Sequence, residues 1–124
     1  MINFIADRAS SIKCAAHGIF IMIKYEQNAW VHLLATSIVF TAGLICKLSN
    51  FEWCWIVLAV VSVWTAEALN TALEFLADVA SPDFHPMVEK GKDVAAGAVL
   101  ITSIGSVLIA LLVFGPHLLR ALRG

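Results

Sequence analysis

The sequence predicts an all-α membrane protein: an amphipathic amino-terminal helix on the membrane surface, followed by three transmembrane helices. Three observations predict it. Of the 124 residues, 60% are hydrophobic and only 14% charged, with a mean hydropathy of +0.88, outside the ordinary composition of soluble domains. Three apolar stretches, centred on helices expected at about 29–48, 53–77 and 92–115, approach or exceed the roughly 20 residues that cross a hydrocarbon core. The ionisable residues gather at the ends of these stretches and in one stripe, and the whole length 1–124 reads as a single membrane-embedded domain.

From about residue 1 to 27, apolar positions mix with Asp7, Arg8, Ser10, Ser11, Lys13, Lys24 and Glu26. That pattern suits a helix lying in the interface. The early charges also speak against a cleaved signal peptide. The first span follows. Ser49-Asn50 then supplies turn chemistry for a tight hairpin, with Trp53 and Trp55 at the depth of an aromatic belt. The second span carries Glu67, Asn70, Glu74 and Asp78. Spaced by three, four and four, they fall within roughly 80° of one another on a helix. Ser81-Pro82-Asp83-Phe84-His85-Pro86 stops that helix and solvates a loop, and a new helix begins near Met87.

Charge orients the chain and excludes some functions. Arg8, Lys13, Lys24, Lys90 and Lys92 share one side of this arrangement, and Lys47, Arg120 and Arg123 the other, which favours a cytoplasmic amino terminus. A net charge of −1 gives no reason to expect nucleic acid. Cys14, Cys46 and Cys54 lack metal-type spacing and read as packing residues. His32 reads as a buried histidine with a partner, and Trp64 and Phe75 as packing residues.

The chemistry lies in the stripe. Ionised groups at bilayer depth cost about 2.5–3.5 kcal/mol each even on insertion scales, so they mark sites. Three helices offer little interior in which to hide several carboxylates, which points to a homo-oligomer. Glu26, Glu67, Glu74, Asp78, Asp83 and Asp93 gather near one membrane face, an oxygen-rich set that suits Mg²⁺. Lys92 and His85 could donate to phosphate oxygens, and a partly desolvated carboxylate could act as base on a lipid hydroxyl. Neither a G-x-x-x-x-G-K-[ST] loop nor a kinase-type G-x-G-x-x-G is present.

The block Glu67-Ala-Leu-Asn70-Thr71-Ala-Leu-Glu74, then Asp78, Phe84-His85-Pro86 and Lys92-Asp93-Val-Ala-Ala-Gly-Ala-Val99, resembles the signature of the bacterial diacylglycerol kinase and undecaprenol kinase family. Ser11-Ile12-Lys13 with Gly18, and Glu26-Gln27-Asn28 leading to His32, extend the likeness over roughly residues 11–115. The resemblance implies a homotrimeric helical bundle in the bacterial cytoplasmic (inner) membrane, with composite sites between subunits. It implies transfer of the γ-phosphoryl of ATP, with Mg²⁺, to a lipid alcohol, giving undecaprenyl phosphate or phosphatidic acid. By that resemblance Glu67 is the base and Asn70 supports the site. Glu26 and Glu74 hold the metal, and Asp83, Phe84, His85, Lys92 and Asp93 bind nucleotide. Arg8 stands one place from an arginine common in the family, whose position here is Asp7. The Ala95–Val99 segment and the Glu26-x-Asn28-x3-His32 pattern look more like the undecaprenol kinase branch. The competing reading of the stripe is a small oligomeric transporter or proton-coupled channel, in which Glu67 and Glu74 line a pathway.

Overall fold

The computed structural model describes residues 2–124, with side chains from residue 4 onward. It contains four helices: α1 (Ile2–Tyr25), α2 (Gln27–Cys46), α3 (Asn50–Ala80) and α4 (Pro86–Arg123). Helices α2, α3 and α4 are each long and apolar enough to cross a membrane. The expected all-helical architecture of an amino-terminal helix and three spans is therefore present. The first residue of the expected surface helix lies outside the described residues.

Each break between helices has a local cause. Between α1 and α2 only Glu26 leaves helical geometry, with φ −99° and ψ 119°, and its N–H still donates to the Met22 carbonyl at 2.9 Å. The Glu26 side chain makes no capping bond to α2, so its carboxylate is left for another use. At the end of α2, Lys47 adopts the left-handed conformation (φ 53°). Its N–H and that of Leu48 return to the Leu44 and Gly43 carbonyls at 3.2 and 3.1 Å, satisfying groups that a helix end otherwise strands. Ser49 and Glu52 then form a reciprocal capping box that starts α3. The turn is shorter than the expected Leu48–Glu52 connection, because this box draws Glu52 into the helix.

Helices α3 (Asn50–Ala80) and α4 (Pro86–Arg123) run past the spans expected at 53–77 and 92–115, and α4 starts beside Met87, where a new helix is expected. Pro86 starts α4 because proline suits the first helical position, where no N–H bond is lost. His85 caps it by accepting the Met87 N–H on Nδ1 at 3.2 Å. Pro116 does not end α4, since a membrane helix tolerates one missing backbone bond when its neighbours supply partners. At 1.5 Å per residue α3 is about 46 Å long and α4 about 57 Å, well beyond a hydrocarbon core of about 30 Å, so both project into the interfacial zone.

The two long helices pack most extensively on each other. Their apolar core is small: Leu48, Ile56 and Val113, with Val39, Cys46, Trp53, Ile109 and Phe114 around them. Gly43 is required there, because a Cβ would come within 2.6 Å of the Trp53 ring. Ser106 Oγ ties α4 to α3 by donating to the Ala59 carbonyl at 3.0 Å. Large apolar residues such as Trp30, Leu44, Leu76 and Ile101 face outward, the reverse of a soluble domain and the pattern of a surface meant for lipid or other helices.

Candidate active site

Three polar residues of α3 are buried: Glu67, Asn70 and Thr71. The three-and-four spacing of the sequence places Glu67, Asn70 and Glu74 on one helical face. Thr71 spends its hydroxyl locally, donating from Oγ1 to the Glu67 carbonyl at 2.9 Å. Asn70 donates from Nδ2 to Glu74 Oε1 at 3.1 Å, which holds the Glu74 carboxylate in line. Glu67 is 0% exposed, and neither of its carboxylate oxygens has a hydrogen-bond partner; Asn70 Oδ1 is likewise buried and unpartnered. Burying such acceptors unpaired costs roughly 1–3 kcal/mol each, more where the group is charged. They are retained against that cost, which points to a role for the bare oxygens.

Glu67 and Asn70 line a cavity of about 230 Å³, together with Asn28 and His32 of α2 and Ala96 and Leu100 of α4. His32 Nε2 lies 3.5 Å from Glu67 Oε2, which gives this histidine the partner the sequence reading called for. The His32 ring meets Trp64 edge-on, with centroids 6.3 Å apart, and Trp64 Nε1 donates to Thr36 Oγ1 at 3.0 Å. Trp64 thus does more than fill space. A second, almost wholly apolar cavity of about 410 Å³ runs between α2, α3 and α4 towards Ile56 and shares Val31, His32 and Ser103 with the first. The polar site therefore opens onto a greasy groove.

Glu26 belongs to the same end of the bundle. Burial, then the nearby charges of Glu74 and Glu67, push its carboxyl above the ordinary value. Desolvation and neighbouring carboxylates both disfavour the charged form of a carboxyl group. No group of three potential metal ligands converges among the described residues. Lys92 Nζ sits 3.3 Å from Asp78 Oδ1, joining α4 to α3 at this end.

Asp83, Phe84 and His85 are exposed, as is Asp93. His85 is occupied in capping α4, and Ser81 Oγ donates to the Asp83 carbonyl at 2.9 Å. Within a single chain these residues do not line the Glu67 cavity. Arg8 is exposed too, its guanidinium 5.3 Å above the Phe4 ring of its own helix. Sequence reasoning did not single out Asn28 as a lining residue or the Thr36–Trp64–His32 chain. The only signal was the i, i+4 spacing of Asn28, His32 and Thr36, which places all three on one face of α2.

The family model described as prokaryotic diacylglycerol kinase matches residues 13–114. The chain is 36% identical over 104 residues to an undecaprenol kinase of Bacillus subtilis (strain 168), covering 84% of this chain and 85% of that protein. It is 30% identical over 110 residues to a diacylglycerol kinase of Synechocystis sp., covering 88% of this chain and 63% of that longer protein. No solved structure matches it.

Proposed function

The chain belongs to the prokaryotic diacylglycerol kinase family and is a lipid kinase, and from that premise we propose that it transfers the γ-phosphoryl group of ATP to the hydroxyl of undecaprenol, with Mg²⁺, giving undecaprenyl phosphate. The observation that carries this reading is Glu67: a wholly buried carboxylate whose oxygens have no hydrogen-bond partner, at the meeting of a polar cavity and an apolar groove. A lipid alcohol fits that boundary, its hydroxyl at Glu67 and its chain in the groove. Its proton passes to Glu67 as the hydroxyl oxygen bonds to the γ-phosphorus and the bond to the β–γ bridging oxygen breaks, releasing ADP.

The donor set fits Mg²⁺. Glu26 and Glu74 are oxygen ligands, and Mg²⁺ typically takes one or two protein carboxylates and fills the rest of its shell with water and phosphate. Bound there, the ion would neutralise charge on the phosphates. Asn70 holds Glu74 through its amide N–H and keeps Oδ1 buried without a partner. Lys92, Asp93, Asp83, Phe84 and His85 form the nucleotide side, with Lys92 exchanging Asp78 for phosphate oxygens. Their exposure in one chain is what a site completed by a neighbouring subunit requires, and a homotrimer in the bacterial cytoplasmic membrane, with a cytoplasmic amino terminus, supplies that neighbour. The channel reading has no such support, since both relatives are kinases.

The test is transfer of labelled phosphate from ATP in mixed micelles containing Mg²⁺. Undecaprenol should be labelled faster than diacylglycerol under identical detergent conditions. Faster labelling of diacylglycerol would overturn the substrate assignment, and labelling of neither alcohol the whole reading.

A further inference from the structure

Glu67 can take a proton from an alcohol only once per turnover, and must then lose it. It is 0% exposed, while the His32 side chain beside it is 16% exposed. The Asn70 oxygen is an amide and cannot store a proton. Among the described residues His32 Nε2, at 3.5 Å, is the titratable atom set against the Glu67 carboxylate. Catalytic contacts of this length commonly tighten when substrate binds. The imidazole is also held in place, edge-on to Trp64, whose indole N–H is fixed by Thr36.

We propose that His32 is the second proton acceptor behind Glu67, receiving the proton of the lipid hydroxyl from Oε2 on Nε2 and releasing it to water at the cavity mouth. This rests on the kinase reading above. The steps balance: the hydroxyl O–H bond breaks as the O–P bond forms, Glu67 carries the proton as a neutral acid, and His32 becomes an imidazolium while Glu67 returns to carboxylate. The imidazolium then gives its proton to water, restoring the starting pair.

The surroundings leave this role to His32. From α3 the acids at this end are Glu67, Glu74 and Asp78, the last paired with Lys92, and Glu26 precedes α2. The α4 wall of the cavity offers no titratable side chain, with Lys92 and Asp93 nearer the loop. No residue of α1 lines the cavity, and Lys24 and Tyr25 close that helix outside it.

The test compares turnover across about pH 5–8, the window in which histidine ordinarily titrates, for wild type, His32→Gln and His32→Ala in the same micelles. Circular dichroism and size exclusion check the fold, and the Gln variant carries the pH test if the Ala variant does not fold. In wild type, turnover should rise with pH through this window. His32→Gln should be about tenfold to a hundredfold slower, with that rise lost, and added imidazole should restore part of the His32→Ala rate. A uniform loss that keeps the wild-type pH profile, unchanged turnover, or a folded Ala variant that imidazole does not restore would each overturn the relay while leaving the kinase reading intact. A wild type that labels no lipid alcohol overturns both.

Discussion

Glu52 and Glu67 are the same side chain on the same helix, fifteen residues apart, and they are treated in opposite ways. At the start of α3, Glu52 Oε2 accepts from the Ser49 backbone N–H at 2.7 Å and from the Ser49 hydroxyl at 2.8 Å. Its Oε1 lies 2.7 Å from His117 Nε2 of α4. Every oxygen is used, and the result is a clasp between the α2–α3 turn and the far end of α4. Further along, Glu67 is more deeply buried and its carboxylate has no hydrogen bond. A carboxylate satisfied by its own protein is holding structure; one left bare in a cavity is waiting for something else. Helix α3 is thus anchored at one end, and in the proposed function reactive at the other.

Several experiments would break or sharpen that contrast. The largest effect is expected for Glu67→Gln, which should lower turnover by about 10²–10⁴-fold, the usual contribution of a positioned base. Glu52→Gln should keep turnover within a few-fold in the same phosphate-transfer assay. Next, Glu74→Gln and Glu26→Gln should raise the Mg²⁺ concentration for half-maximal rate by about tenfold or more, the loss of one charge-assisted contact. In wild type that requirement should also climb as pH falls, because the Glu26 carboxyl holds its proton to higher pH than an ordinary glutamate. An Mg²⁺ titration at two pH values checks both.

On the structural side, Gly43→Ala should destabilise by about 1–3 kcal/mol, since the new methyl meets the Trp53 ring at 2.6 Å and overpacking must be relieved by backbone shifts. Thermal unfolding in detergent reads this as a lowered Tm. The smallest effect should come from Asp78→Asn. The Asp78–Lys92 pair is largely exposed on its acidic side, and solvent-screened pairs of this kind contribute little to stability. Its melting temperature should stay close to that of the wild type.

The architecture was readable in the sequence because membrane spans are announced by length and hydropathy, which need no knowledge of packing. The family likeness read over residues 11–115 corresponds to a match over 13–114. The Glu67–Asn70–Glu74 face was readable for a similar reason: helical periodicity is a local property. Helix ends were less legible. Pro116 reads as a stop in a soluble chain, but α4 continues through it to Arg123, and the Ser49–Glu52 box shortened the expected hairpin. Long-range pairs left no trace in the pattern. His117 reaches back across 65 residues to Glu52, and His32 meets Glu67 only because α2 packs against α3. The Asp83–His85 loop was legible only as a helix stop, since its side chains are exposed and do not line the Glu67 cavity.

The contrast between the two glutamates is tested most directly by measuring turnover and melting temperature on one preparation of Glu67→Gln. Removing a bare buried carboxylate relieves a desolvation penalty, so the variant should melt at or above the wild-type temperature while phosphate transfer to the lipid alcohol collapses. A variant that melts lower yet still turns over would show that Glu67 holds the fold together and is not the base.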